Sequence, residues 1–286
     1  MLDTVALRIA YPNFMVGNPN LFTPALVINE KTGDFNYGRH RFQKFIQNST
    51  REERQAGSSF IGLTVYQRFE SIRPTYDLNI EFSIPKLLFG NSVQEYDDTD
   101  FDQVISVLKS RLAQMQIRVF DAMLRKAVVA KAHFGKNILL PHSLTVQDAI
   151  STLYKADVSR TRDINIRHYG NNGQSLYFYA SSNNTIFYDK LKDIKTPKAK
   201  AVDKDKLKQE RLFVDSLSRD QTPEILRYEV RLVKQQSLDA FLSKIIGKTI
   251  KGITFETLFN KDLCKNALLA SWTEIIKSPA SQLAFK

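Results

Sequence analysis

The segment TYDLNIEFSI alternates at every step. Tyr76, Leu78, Ile80 and Phe82 fall on one side, and Asp77, Asn79, Glu81 and Ser83 on the other. A period of two marks a half-buried strand, and Pro85, which has no N–H to donate, ends its ladder. Upstream, Leu2 to about Ala10 reads as a first strand. After a region rich in glycine and asparagine, GSSFIGLTVYQRF reads as a strand entering from a turn. The period then changes. From Thr99 or Asp100, either of which suits an N-cap, Phe101, Val104, Ile105, Leu108 and Leu112 recur at helical spacing. LTVQDAISTLYK, residues 144–155, predicts a second, short amphipathic helix.

The second half repeats this outline. RDINIRHY predicts a strand, and SLYFYASSNNTIFYDK a hairpin turning at Ser-Ser-Asn-Asn. ILRYEVRLV predicts a further alternating strand, and SLDAFLSKIIGK a helix. The expected fold class is therefore α+β, with a mainly antiparallel central sheet flanked by helices. Two similar strand-strand-strand-helix halves, 1–150 and 151–250, pack together, followed by a helical C-terminal segment, 251–286.

Composition adds one departure from the ordinary. The 286 residues carry a formal net charge of +11, which favours polyanionic partners, nucleic acid first. Cys264 is the only cysteine, so neither an intramolecular disulfide nor a cysteine zinc site can form. The opening MLDTVALRIAYPNF lacks the pattern of a signal peptide. No window reaches the roughly 18 uninterrupted apolar residues of a membrane span. The expectation is a cytoplasmic protein without a membrane partner. Lys190 to Arg211 carries nine basic and four acidic residues. It reads either as a solvated surface or as an arm that tracks phosphates.

Three predicted strands place an acid within a polar face: Glu81, then Asp163 beside Asn165 and Arg167, then Glu229 between Arg227 and Arg231. In one antiparallel sheet they could form a carboxylate patch rimmed by guanidinium groups, holding Mg²⁺ or Mn²⁺ through hard oxygen ligands. They could equally be cross-strand pairs on a wetted face. The four histidines, at 40, 133, 142 and 168, form no metal-binding pair and read as structural or surface residues. No Walker-type glycine loop is present.

Five segments, in order along the chain, resemble the replication initiator endonucleases of filamentous phages, and more distantly the plasmid rolling-circle initiators without a two-histidine motif. They are MLDTVALRI, IEFSIPKLLFGNSV, VSRTRDINI, TIFYDKLKDI and LRYEVRL. The resemblance implies a sequence-specific, metal-dependent DNA nickase in which Tyr188 is the nucleophile and Lys190 its cationic companion. Asp163 and Glu229, with Glu81 as a third, would hold Mg²⁺ or Mn²⁺. An inserted residue after Arg160 leaves Asp157 and Asp163 as alternatives, with strand phase favouring Asp163. Asp3 also matches, although alternation puts it on the side of Val5 and Leu7. Arg227, Arg231, Lys192, Lys195 and Lys198 would contact DNA. The product would be a 5′-phosphotyrosyl link and a 3′-OH that primes rolling-circle replication, with strand rejoining at the end.

Implied partners are an origin DNA, supercoiled or single-stranded, a host helicase and polymerase, and a second copy of the chain. The implied location is the cytoplasm of a bacterial host. Two other readings stay open: a mobilisation relaxase, and a non-catalytic single-strand binder in which Tyr177, Phe178 and Tyr179 stack on bases.

Overall fold

The computed structural model describes residues 1–29, 31–35, 42–47, 61–69, 74–155, 164–170, 173–180, 183–195 and 223–276. The first strands are β1 (Leu2–Ala10), β2 (Met15–Val16), β3 (Phe42–Gln47), β4 (Gly62–Phe69) and β5 (Pro74–Ser83). Then come α1 (Ile84–Phe89), α2 (Phe101–Gln114), β6 (Ile117–Arg118), α3 (Asp121–Arg125), β7 (Val128–Leu139) and α4 (Val146–Tyr154). The second half holds β8 (Ile164–Gly170), β9 (Ser175–Ala180), β10 (Asn184–Asp189), α5 (Lys190–Lys195) and β11 (Ile225–Leu232). It ends with α6 (Gln235–Ile246), α7 (Phe255–Leu258) and α8 (Lys261–Ile276).

Nine strands form one antiparallel sheet in the order β3-β4-β5-β1-β7-β11-β10-β9-β8. The two halves meet at β7 and β11, which pair from Ala132–Leu232 to Leu139–Ile225. One face is apolar because alternation is kept strand after strand: Leu78, Ile80, Phe134, Phe178, Phe187 and Val230 are each at most 1% exposed. Against this face pack the apolar stripes of α2, α4 and α6, buried at Val104 and Leu108, Val146 and Ile150, and Leu238 and Leu242. The expected α+β class, with an antiparallel sheet flanked by helices, is what the chain adopts.

Local chemistry moves some predicted boundaries. Pro85 follows the end of β5 but also sits in the first turn of α1, where a missing N–H costs nothing. Asp100, one of the two expected caps, stands at the N-cap position of α2 but makes no side-chain bond into that helix. Asp97 and Asp100 instead form a reciprocal capping box around a 3₁₀ turn that runs into the helix. β7, the longest and central strand, escapes the alternation test. A register shift between Ala6 and Leu7 of β1 leaves Ala130 as the extra residue of β7, and Gly135 interrupts its pattern.

Candidate functional site

The second face of the sheet is polar, and its residues gather at one end. Tyr188 on β10 stands in register between Arg227 on β11 and Ser175 on β9, and Arg227 in turn faces Asn137 on β7. The Arg227 guanidinium reaches across β7 to Asp3 at 2.8 Å and donates to Asn137 Oδ1 at 3.1 Å. Gly135 makes that crossing possible, since a Cβ there would stand 2.5 Å from Arg227 Cζ. Asp3 reaches this face because β1 is bulged. Leu2 pairs with Phe134 and Thr4 with His133, so Asp3 is the extra residue and leaves the Val5 and Leu7 side that simple alternation predicts.

Glu229, two residues along β11, is only 2% exposed. It accepts from Arg231 at 2.9 Å and lies 3.3 Å from His133 Nδ1. Burial pushes its carboxyl up, but the His133 contact and the Arg231 and Arg227 charges outweigh this and hold it well below the usual carboxylate range. The Tyr188 phenol moves the opposite way. Burial raises its pKa well above the ordinary value, Glu229 and Asp3 raise it further, and Arg227 opposes them. Tyr188 and the two carboxylates thus share one electrostatic environment. Lys190 brings its ammonium to 5.9 Å from the Tyr188 ring centroid.

The end of the site is closed by α5. Asp189 accepts the Lys192 amide at 2.8 Å, which starts the helix directly after the Tyr188 strand. Leu191 and Ile194 then pack on Ile225 and on Val93, from the loop after α1. Asn137 ties that loop in, donating to Val93 O at 2.8 Å. Four sequence-distant segments, around residues 3, 93, 188 and 227, therefore meet at one place. Around them are buried polar atoms without a hydrogen-bond partner: Ser175 Oγ, Arg227 Nε, Arg231 Nε and His133 Nε2. Such orphans are rare in folded chains, and ordered water or a bound group can complete their bonding.

Several expected site residues do not join this cluster. Glu81 pairs with Lys131 at 2.6 Å on the far side of β1. Three strand spacings, roughly 14 Å, separate its strand from that of Glu229. Asp163, Asp157 and Lys198 lie outside the described residues. Among the described residues no three His, Cys, Asp or Glu side chains form a metal-binding group. Asp3, Glu229 and Glu81 are each paired with a cationic side chain, Arg227, Arg231 and Lys131 respectively.

Arg227, expected at a phosphate, is 3% exposed and holds Asp3 and Asn137, so it braces the site from within. Arg231 keeps about a third of its side chain exposed. Lys192 pairs with Asp189 at 3.3 Å, and Lys195 is exposed at the end of α5. Of the three aromatics offered for base stacking, Phe178 is buried in the core. Tyr177 and Tyr179 stack on each other on the polar side, centroids 5.7 Å apart.

His133 reads in the sequence as a structural or surface residue, and Gly135 and Asn137 carry no expectation there, yet all three line this site. The available signal was the period-two spacing of these three residues, with a glycine inside a strand marking close approach by another group. Comparison with protein-family models, curated proteins and solved structures gives no match to this chain.

Proposed function

We propose that the chain is a DNA strand-nicking enzyme of the replication-initiator type, with Tyr188 as nucleophile. The observation that carries this reading is the meeting of four separate segments, each singled out by the sequence resemblance, around one phenol. Most tyrosines at strand ends are packing residues. Tyr188 instead stands beside an internal Arg227–Asp3 pair, a buried Glu229 and an ammonium over its ring.

In this reading Ser175 Oγ and the exposed edge of Arg231 receive the oxygens of a phosphodiester, while Arg227 stays inside as the brace of the site. A phenol buried near carboxylates keeps its proton until a compensating charge arrives. Arg227 supplies part of that charge from within, and Lys190 lies close enough to add to it. Attack forms the Tyr188 Oη–P bond and breaks P–O3′. The phenolic proton is lost to solvent, and the leaving 3′ oxygen takes one up, so charge balances and a primer end is released. The energy of the broken phosphodiester stays in the phosphotyrosyl bond, which lets the same site rejoin the ends. The lysines of α5, Lys192 and Lys195, border the path of the strand.

The test is to incubate the chain with supercoiled DNA that carries candidate origins, across a titration of Mg²⁺ and of Mn²⁺. Open circles with protein attached are expected from the wild type and none from Tyr188→Phe. Covalent capture that survives in Tyr188→Phe removes Tyr188 from the role. A gel shift without any nick at any metal concentration favours the binding-only reading.

A further inference from the structure

A second aromatic and basic patch lies on the same polar face, remote from Tyr188. On β4, Tyr66 has Lys44 Nζ 5.5 Å and Arg68 Cζ 5.8 Å from its ring centroid. Lys44 registers opposite Tyr66, and Phe42, opposite Arg68, lies diagonally across the ladder, with ring centroids 5.9 Å apart at 34°. Phe42 lies at the start of the edge strand β3 and is 54% exposed, so its ring is open to a partner. Among the described residues neither Lys44 nor Arg68 is paired with a carboxylate. Asp77, which registers opposite Tyr66, makes no ion pair with either.

The register fixes where this patch sits. Tyr66 pairs with Asp77, which pairs with Ala10 at the end of β1. Tyr188 pairs with Arg227 and through it with Asn137, beyond the beginning of β1. The two tyrosines occupy opposite corners of the face, on the order of 40 Å apart by strand spacing and rise. The patch is therefore no part of the reaction centre.

We infer that Phe42, Lys44, Tyr66 and Arg68 form a second contact for a single-stranded nucleic acid, which stacks a base on the exposed Phe42 ring and sets its phosphates on the two unneutralised cations. Exposed rings interleaved with cations suit a strand whose bases are unpaired, because every base offers a π-face and every linkage a charge. A duplex would present only its phosphates to this patch, leaving the Phe42 ring unused. In a chain of net charge +11 the complementarity to a polyanion is direct. The inference rests on the nucleic-acid part of the proposed function and not on the chemistry of Tyr188.

The experiment measures binding of the full chain to a fluorescent oligothymidine of about 20 nucleotides, by anisotropy over a range of salt. Phe42→Ala is expected to weaken binding about tenfold. Lys44→Gln combined with Arg68→Gln is expected to lower the slope of log K against log salt by about 1.4, two phosphate contacts at about 0.7 each. Tyr188→Phe should bind like the wild type, which separates this result from the fate of the nicking reading. The lysine and arginine changes lie on the polar face, away from the apolar core, so that arm stands even where Phe42→Ala alters the fold. Wild-type affinity with an unchanged salt slope in the double variant overturns the proposal. So does a Phe42→Ala chain that folds and binds as tightly as the wild type.

Discussion

At the scale of single residues, the Arg227–Asp3 pair decides how the site is held. Both partners are largely out of water, so breaking the pair leaves an uncompensated charge where solvent cannot reach it. Asp3→Asn is expected to cost about 3 kcal/mol of folding stability in urea unfolding. Adding Arg227→Met to Asp3→Asn should cost little more, because the stranded cation is then gone. Gly135→Ala should cost about 2 kcal/mol by pushing the guanidinium off its carboxylate. Equal and additive losses from Asp3→Asn and Arg227→Met would show that the two residues are not coupled. These partners were only partly readable in the sequence. Glu229 and Arg231 alternate visibly with core residues, so their face was legible. Asp3 was not, since one extra residue in β1 reverses its side and no local pattern announces the bulge.

At the scale of elements, strands with clean alternation and helices with clean caps were legible, and irregular ones were not. β5 and β11 match their predicted runs to within a residue or two. β7 was lost although it is the centre of the sheet, because it is buried on both sides for part of its length and carries a bulge and a glycine. Pairing order is a long-range property, so no sequence period could have shown that Glu81 and Glu229 stand on strands separated by two others. The short helix α5 depends on its first contact. Asp189, 6% exposed, accepts the Lys192 amide and pairs with its ammonium. Asp189→Ala should lower stability by about 1 kcal/mol and speed amide exchange at Lys192, whereas Asp189→Asn should keep most of the cap. Unchanged exchange in Asp189→Ala would mean that α5 is held by Leu191 and Ile194 alone.

At the scale of the whole molecule, one sheet carries both halves, and its two faces together hold several weak acids in their neutral forms. Burial pushes the Cys264 thiol up to about 11 and raises the phenols of Tyr96, Tyr188 and Tyr228. Each holds its proton more tightly folded than unfolded. This stability is complete below the unfolded values, near 9 for the thiol and 10 for the phenols, and is lost as pH climbs past them. The urea midpoint should therefore hold up to about pH 9 and fall steadily toward about pH 11; a flat profile would contradict the burial of these groups. In the function we propose, this fold presents one particular phenol to a DNA backbone. The most direct measurement of that is mass-spectrometric mapping of the covalent adduct formed with a cleavable oligonucleotide. The account predicts a 5′-phosphonucleotide on the peptide containing Tyr188 and a free 3′-OH on the released strand. An adduct on any other residue, or cleavage that leaves no adduct, contradicts it.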